Sequence, residues 1–339
     1  MTQPAIREIP LTGPGSGPYS ITVGSDGALW LALAGSGGVA RLGLDGEVRA
    51  YRDDPPGSRP LIIVGGPDGA LWYTRSGDDR LGRITVDGET GSVALPPGCG
   101  PCGLAVGPDG ALWYAGMNDD TVGRVSVDGE VTSFPLPVEK GFPSMLAAGP
   151  DDALWLTLNQ ANAIARIDLD GSVTLHPLPT EAAGPVGITR GGDGALWFVE
   201  IAAGQVGRIT PDGRIDEFPL PDRAARPHAI VADPAGGCWL TEWGANRIAH
   251  IDPDGHHTAH ALPTPASEPH GLTLTPDGTV WAALEIGTVA HLTPPAPRAP
   301  RVPRVPRVPR VPVCRVCRVC RVCRVDHEVG GSCGSLDCR

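Results

Sequence analysis

Apolar and polar positions along this chain form short runs, four to a unit, and the unit recurs. In the third unit Gly103-Leu104-Ala105-Val106 is an apolar run, Asp109-Gly110 a turn signal and Ala111-Leu112-Trp113-Tyr114 a second run. Val122-Gly123-Arg124-Val125-Ser126 follows, then Asp128-Gly129 and Val131-Thr132-Ser133-Phe134-Pro135-Leu136. Runs this short, separated by Asp-Gly, predict four antiparallel strands joined by tight hairpins. Asp-Gly itself reads as a type I′ turn, with positive φ at both central residues.

Tryptophan marks the period. The segments Asp26 to Trp30, Asp68 to Trp72, Asp109 to Trp113, Asp151 to Trp155, Asp193 to Trp197, Ala235 to Trp239 and Asp277 to Trp281 recur at steps of 42, 41, 42, 42, 42 and 42 residues. Seven four-stranded units at that period predict an all-β fold, a seven-bladed β-propeller. The in-register tryptophans fit as large rings packed between blades. Trp243 is the eighth tryptophan and the only one out of register. After Thr288-Val289-Ala290-His291-Leu292 the seventh unit lacks a fourth run, whereas Ala5 to Leu11 resembles one and precedes the first unit. The N-terminal strand is therefore expected to complete the last blade and close the ring, which removes unpaired sheet edges.

Beyond Pro294 the composition changes to Arg-Val-Pro and then Cys-Arg-Val triplets. This divides the chain into a propeller domain, residues 1–294, and a low-complexity tail, residues 295–339, expected to be extended and disordered. Cys314, Cys317, Cys320 and Cys323 replace proline in a continuing triplet, which accounts for their spacing without a metal. Of 27 Lys and Arg and 38 Asp and Glu, the tail from residue 294 holds 10 and 3, so the repeats carry a net charge of −18. Such a surface argues against nucleic acid as a partner. The start, Met1 to Glu8, has no basic segment followed by an apolar run, and no stretch approaches a membrane span. A cytoplasmic protein without membrane contact is expected, and a closed acidic ring implies a monomer.

A proline precedes the innermost strand of every unit: Pro18, Pro60, Pro101, Pro143, Pro185, Pro227 and Pro269. The residue after each marks one ring at the mouth of the central channel: Tyr19, Leu61, Cys102, Ser144, Val186, His228 and His270. Two adjacent blades thus supply imidazoles. With Asp277-Gly278 as a two-residue turn, Glu285 falls opposite His270, and the same count in blade six sets Trp243 opposite His228. Glu268 points to the same side if the extended backbone continues through Pro269. Glu200 and Glu242, three residues after their tryptophans, have no such company in the sequence and read as structural.

Two carboxylates beside an imidazole permit metal-assisted acid/base chemistry. Carboxylate oxygens of Glu268 and Glu285 suit a hard divalent ion such as Mg²⁺. An ion held there can polarise a substrate carbonyl and acidify the adjacent C–H. His270 is then the candidate general base, since imidazole titrates near neutral pH.

Arg226-Pro227-His228-Ala229-Ile230, Trp239 to Asn246, Ser267-Glu268-Pro269-His270-Gly271 and Glu285 together resemble the virginiamycin B lyase (streptogramin B lyase) family, over about residues 5–293. The resemblance implies a propeller enzyme that linearises cyclic depsipeptide antibiotics at their ester bond by β-elimination and so confers resistance. It implies His270 as base, Glu268 and Glu285 as Mg²⁺ ligands, His228 as a substrate-binding group, and Tyr19 and Trp243 as residues packed against the substrate. The residues by themselves leave two alternatives open: a metal-dependent propeller lactonase or esterase, and a non-catalytic propeller that binds a peptide.

Overall fold

A computed structural model describes residues 6–293, apart from 12, 14 and 54–56. The tail and Ala5 lie outside the described residues. Seven four-stranded antiparallel sheets are present, six of them built from consecutive strands. The seventh joins Pro269–Leu274, Val280–Leu284 and Thr288–Leu292 to the N-terminal strand Ile6–Pro10. Ile6 pairs with Leu292 and Pro10 with Thr288, so the ring closes as the sequence predicts. Two bonds secure the closure: Leu11 N donates to Gly287 O at 3.1 Å, and Thr264 N to Glu8 Oε1 at 3.1 Å. Among the described residues the one helical piece is a single turn at Trp243–Ala245, and no helix is long and apolar enough to cross a membrane.

The blade tryptophans pack between neighbouring sheets. Trp113 of blade three meets Leu154, Leu156 and Ile167 of blade four, and Trp197 of blade five meets Leu240 and Ile251 of blade six. A buried ring of this size removes about 150–250 Å² from water, about 4–6 kcal/mol at about 25 cal/mol per Å². Each ring also needs a partner for its N–H, and the repeated aspartate supplies it. Asp151 Oδ1 accepts from Trp155 Nε1 at 3.0 Å while Oδ2 accepts from Arg166 Nε at 2.7 Å. The same Asp-Trp-Arg triad recurs at Asp26, Asp68, Asp109 and Asp193. Blade six substitutes Asp233 and His250, and blade seven lacks the triad, leaving Trp281 Nε1 buried without a partner.

The same hairpins correct the expected register. Gly278 N donates to Thr275 O, and Thr275 N to Thr279 O, so the loop has three residues and only Gly278 takes positive φ, at 82°. Asp277 occupies the third position of the turn rather than the first of a type I′ pair. That moves every inner pair by one residue, giving Leu274 opposite Val280 and Thr273 opposite Trp281. A bulge between Pro269 and Leu272 moves it again, so Pro269 meets Leu284. Glu285 therefore lies opposite Glu268, and Trp243 opposite Arg226, not opposite the two histidines. The bulge recurs in all seven blades.

Candidate functional site

Three positions per blade converge at the channel mouth. The residue before the ring proline is left-handed in every blade: Gly17, Arg59, Gly100, Phe142, Gly184, Arg226 and Glu268, with φ from 48° to 64°. Its carbonyl accepts a hydrogen bond from the residue that follows the second strand: Ala34, Ser76, Met117, Asn159, Ile201, Trp243 or Glu285. The third position is the ring residue itself. Only blade seven has carboxylates at the first two and an imidazole at the third.

Glu268 has φ 51°, so the extended backbone anticipated through Pro269 is not what brings it to the site. The left-handed turn does so instead, and the Glu285 N to Glu268 O bond of 3.1 Å fixes the two carboxylate-bearing residues side by side. A left-handed L-residue costs about 1–2 kcal/mol. Arg59, Phe142 and Arg226 bear the same strain, so it belongs to the architecture rather than to the site alone.

His270 is 8% exposed and its Nε2 lies 2.6 Å from Glu285 Oε2. The carboxylate thus engages the ring on its Nε2 side, and Nδ1 is turned into the protein. No protein group bonds to Nδ1. Tyr19 stacks on the imidazole with centroids 4.5 Å apart, and His228 meets it edge-on at 4.8 Å. Tyr19 Oη and His228 Nε2 share a hydrogen bond of 3.2 Å. The sequence-derived residues Tyr19, His228, His270, Glu268 and Glu285 are thus one cluster, whereas Trp243 stands outside it, with the Arg226 guanidinium 5.6 Å over its ring.

Burial sets the charge states. It pushes His228 down to about 3, with His270 adding to the effect, so the ring is neutral at physiological pH. Burial also raises the Tyr19 phenol, followed by the influence of Cys102 and Glu285, and keeps it protonated. Glu268 is raised by partial burial and then by the Glu285 carboxylate beside it. Among the described residues no Lys or Arg pairs with either carboxylate, and His270 is the one basic side chain in contact. One ligand atom each from Glu268, His270 and Glu285 lies within 4.8 Å of the other two. Two hard oxygen donors pressed together without a protein cation fit a divalent ion, which would relieve their repulsion. A second acidic group, Asp252, Asp254 and His256, is accounted for otherwise: Asp252 caps the backbone N–H groups of Asp254 and His256 in an outer turn.

Through Tyr19 and His228 the cluster borders a cavity of about 500 Å³, which Glu268, His270 and Glu285 themselves do not line. Six of the seven ring residues, Tyr19, Leu61, Cys102, Ser144, Val186 and His228, line it as the proline register predicts, His270 does not, and Met117, Phe142 and Ile201 add an apolar wall. Their positions are the structural equivalents of Glu285 and Glu268 in other blades. Aligning the repeats residue by residue identifies this second tier, which the single proline ring does not reveal. Glu200 and Glu242 are fully buried and partnered after all, Glu200 by Gln205 at 2.6 Å and Glu242 by Arg247 at 2.6 Å.

Comparison with known proteins agrees with this fold. Virginiamycin B lyase of Saccharopolyspora erythraea is 55% identical over 49 residues, a stretch covering 14% of this chain and 16% of that relative's length. The crystal structure of virginiamycin B lyase from Staphylococcus aureus is 38% identical, with a TM-score of 0.83, over 86% of this chain and 100% of that one. A catalytically inactive histidine-to-alanine variant of the S. aureus protein, crystallised with quinupristin, aligns equally well, at 38% identity over 86% and 100% with a TM-score of 0.83. Residues 4–292 match the profile of the virginiamycin B lyase family, and the chain belongs to that family.

Proposed function

We propose that the protein is a streptogramin B lyase that opens a cyclic depsipeptide at its ester bond by β-elimination. The observation that carries this reading is blade seven, where two carboxylates flank an imidazole and one ligand atom from each of the three lies within 4.8 Å of the other two. Family membership and the S. aureus relative crystallised with quinupristin supply the substrate class.

Glu285 holds the His270 ring through Nε2 and so fixes its orientation. His270 takes the proton from the threonyl Cα. The C–H electron pair becomes the Cα=Cβ bond as the Cβ–O bond breaks, and the ester leaves as a carboxylate. No water is consumed. Glu268 and Glu285 are the residues that would hold Mg²⁺, which supplies carbonyl polarisation and a more acidic Cα–H when bound. His228, neutral through burial, and Tyr19 offer hydrogen-bonding groups to the depsipeptide. Trp243 flanks the mouth in blade six as Glu285 does in blade seven and serves as an outer substrate contact. A monomer is the working unit in this reading. Resistance of a cell that makes the protein, acting in its cytoplasm, is the consequence of this reading.

Mass spectrometry of a streptogramin B incubated with the protein in ¹⁸O-water tests it. Elimination gives a linear product of unchanged mass, dependent on Mg²⁺ and absent with His270→Ala. A product heavier by one labelled water would make the protein a hydrolase, and an untouched antibiotic would refute the substrate.

A further inference from the structure

Thr241 is fully buried, touches no part of the cavity, and lies in the second strand of blade six, Cys238–Glu242. Its hydroxyl accepts from Ala229 N at 3.0 Å, the residue after His228, and donates to the carbonyl of His270 at 2.7 Å. One hydroxyl therefore ties together the two strands that carry the imidazoles, across a blade boundary, at the bulge where inner-strand pairing is interrupted.

The repeat shows what this bond does. Equivalent threonines occur in blades two and four: Thr74 donates to Cys102 O at 2.9 Å, and Thr157 to Val186 O at 2.6 Å. In each case the acceptor is the ring residue of the next blade. The equivalent positions in the other blades, Ala32, Ala115, Val199 and Ala283, have no hydroxyl. A propeller of this sequence therefore closes its bulges with or without the bond. Of the three ring carbonyls so held, only that of His270 belongs to a residue with acid/base chemistry.

His270 lies inside the bulge, between the Pro269–Leu284 pair and the point where regular pairing resumes at Leu272 and Ala282. Its side chain must meet Glu285 on one side and Tyr19 on the other. We infer that Thr241 is a positioning residue, which fixes the depth of the His270 backbone against His228 and thereby aims the imidazole. The inference rests on the lyase reading proposed above.

Thr241→Val replaces the hydroxyl by a methyl of the same shape, and Thr74→Val makes the identical change two blades beyond the ring closure. The expected result is a fall in kcat of about 10–100-fold for Thr241→Val, the scale of an ångström-level misplacement, with KM within about threefold. Thr74→Val, with a comparable loss in urea midpoint, keeps kcat within about threefold, and Thr241→Ser restores it. Equal kcat for the two valine variants, or a change in KM alone, overturns the inference. If Thr241→Val does not fold, Thr241→Ala and Thr74→Ala remove the same hydroxyls without added bulk and carry the same comparison. An inactive wild-type protein would instead refute the lyase reading, so the two failures are separable.

Discussion

The aspartate of the blade repeat should be worth more in blade four than in blade seven, although the two segments look alike in sequence. In Asp151→Ala, Trp155 Nε1 loses its partner in a ring that is 0% exposed. An unsatisfied buried donor costs about 1–3 kcal/mol. The Arg166 pair, with side chains 22% and 19% exposed, adds about 0.2–1 kcal/mol. Together these come to about 1–4 kcal/mol. Asp277 accepts instead from Thr275 Oγ1 at 2.6 Å and Thr279 N at 3.1 Å, while Trp281 Nε1 already lacks a partner. Asp277→Ala should therefore cost only about 0.5–1.5 kcal/mol.

Urea unfolding followed by circular dichroism measures the difference. With a slope of about 3 kcal/mol per M, Asp151→Ala should lower the midpoint by about 0.4–1.3 M and Asp277→Ala by about 0.2–0.5 M. Asp151→Asn, which keeps an acceptor for the indole, should fall between wild type and alanine. Equal midpoints for the two alanine variants would refute the reasoning. A pH titration checks the same groups. Burial alone would raise the carboxyls of Asp26, Asp68, Asp109, Asp151 and Asp193, but the bonds from Trp and Arg hold them below the ordinary 3.8. Groups lowered in the folded state stabilise it above their unfolded value, and that stability is lost as pH falls through the folded one. Acid unfolding should thus begin below about pH 4 and be less steep in Asp151→Ala.

Other expectations concern the site. Glu268→Gln should raise Tm in metal-free buffer, because it removes a carboxylate raised by burial and by Glu285, yet calorimetry should find divalent-ion affinity lowered about 10-fold or more. Tyr19→Phe loses the 3.2 Å bond to His228 but keeps the 4.5 Å stack on His270, so steady-state kinetics should show KM raised more than kcat is lowered. Tyr19→Ala should lower both. Deleting residues 296–339 should leave turnover unchanged, since residues 6–293 close on themselves, whereas deleting residues 1–10 removes the outer strand of the catalytic blade and should abolish it.

Blade number and closure were legible because they depend on hydrophobic period, which a tryptophan every 41 or 42 residues displays directly. Register was not, because Asp-Gly is compatible with two hairpin loops that differ by one residue. The deciding signal was the proline before the pair, as in Pro67, Pro108 and Pro276. Proline favours the second position of a type I turn, which places aspartate third and glycine fourth. The inner bulge has no such marker, so the pairing of Glu285 with Glu268 emerges only from the backbone bonds. The cluster was nonetheless found, since the bulge's extra residue brings Glu285 Oε2 back to His270 even though the two residues are not opposite one another.

Symmetry also explains how a site could arise without rebuilding the fold. Every blade carries the left-handed residue before its ring proline, the bond across to the residue after its second strand, and the bulge between. These features fix backbone positions whatever side chains stand there, so Arg59, Phe142 and Glu268 occupy equivalent places at equivalent conformational cost. Chemistry then requires only side-chain changes in one sector: carboxylates at two equivalent positions and imidazoles on two neighbouring blades. The remaining blades carry no acidic residue or imidazole at these positions, apart from His228, and Leu61, Met117, Phe142, Val186 and Ile201 among them give the cavity an apolar wall. Substitutions on that wall should therefore alter which cyclic peptide fits, while substitutions in blades six and seven should alter whether it is opened.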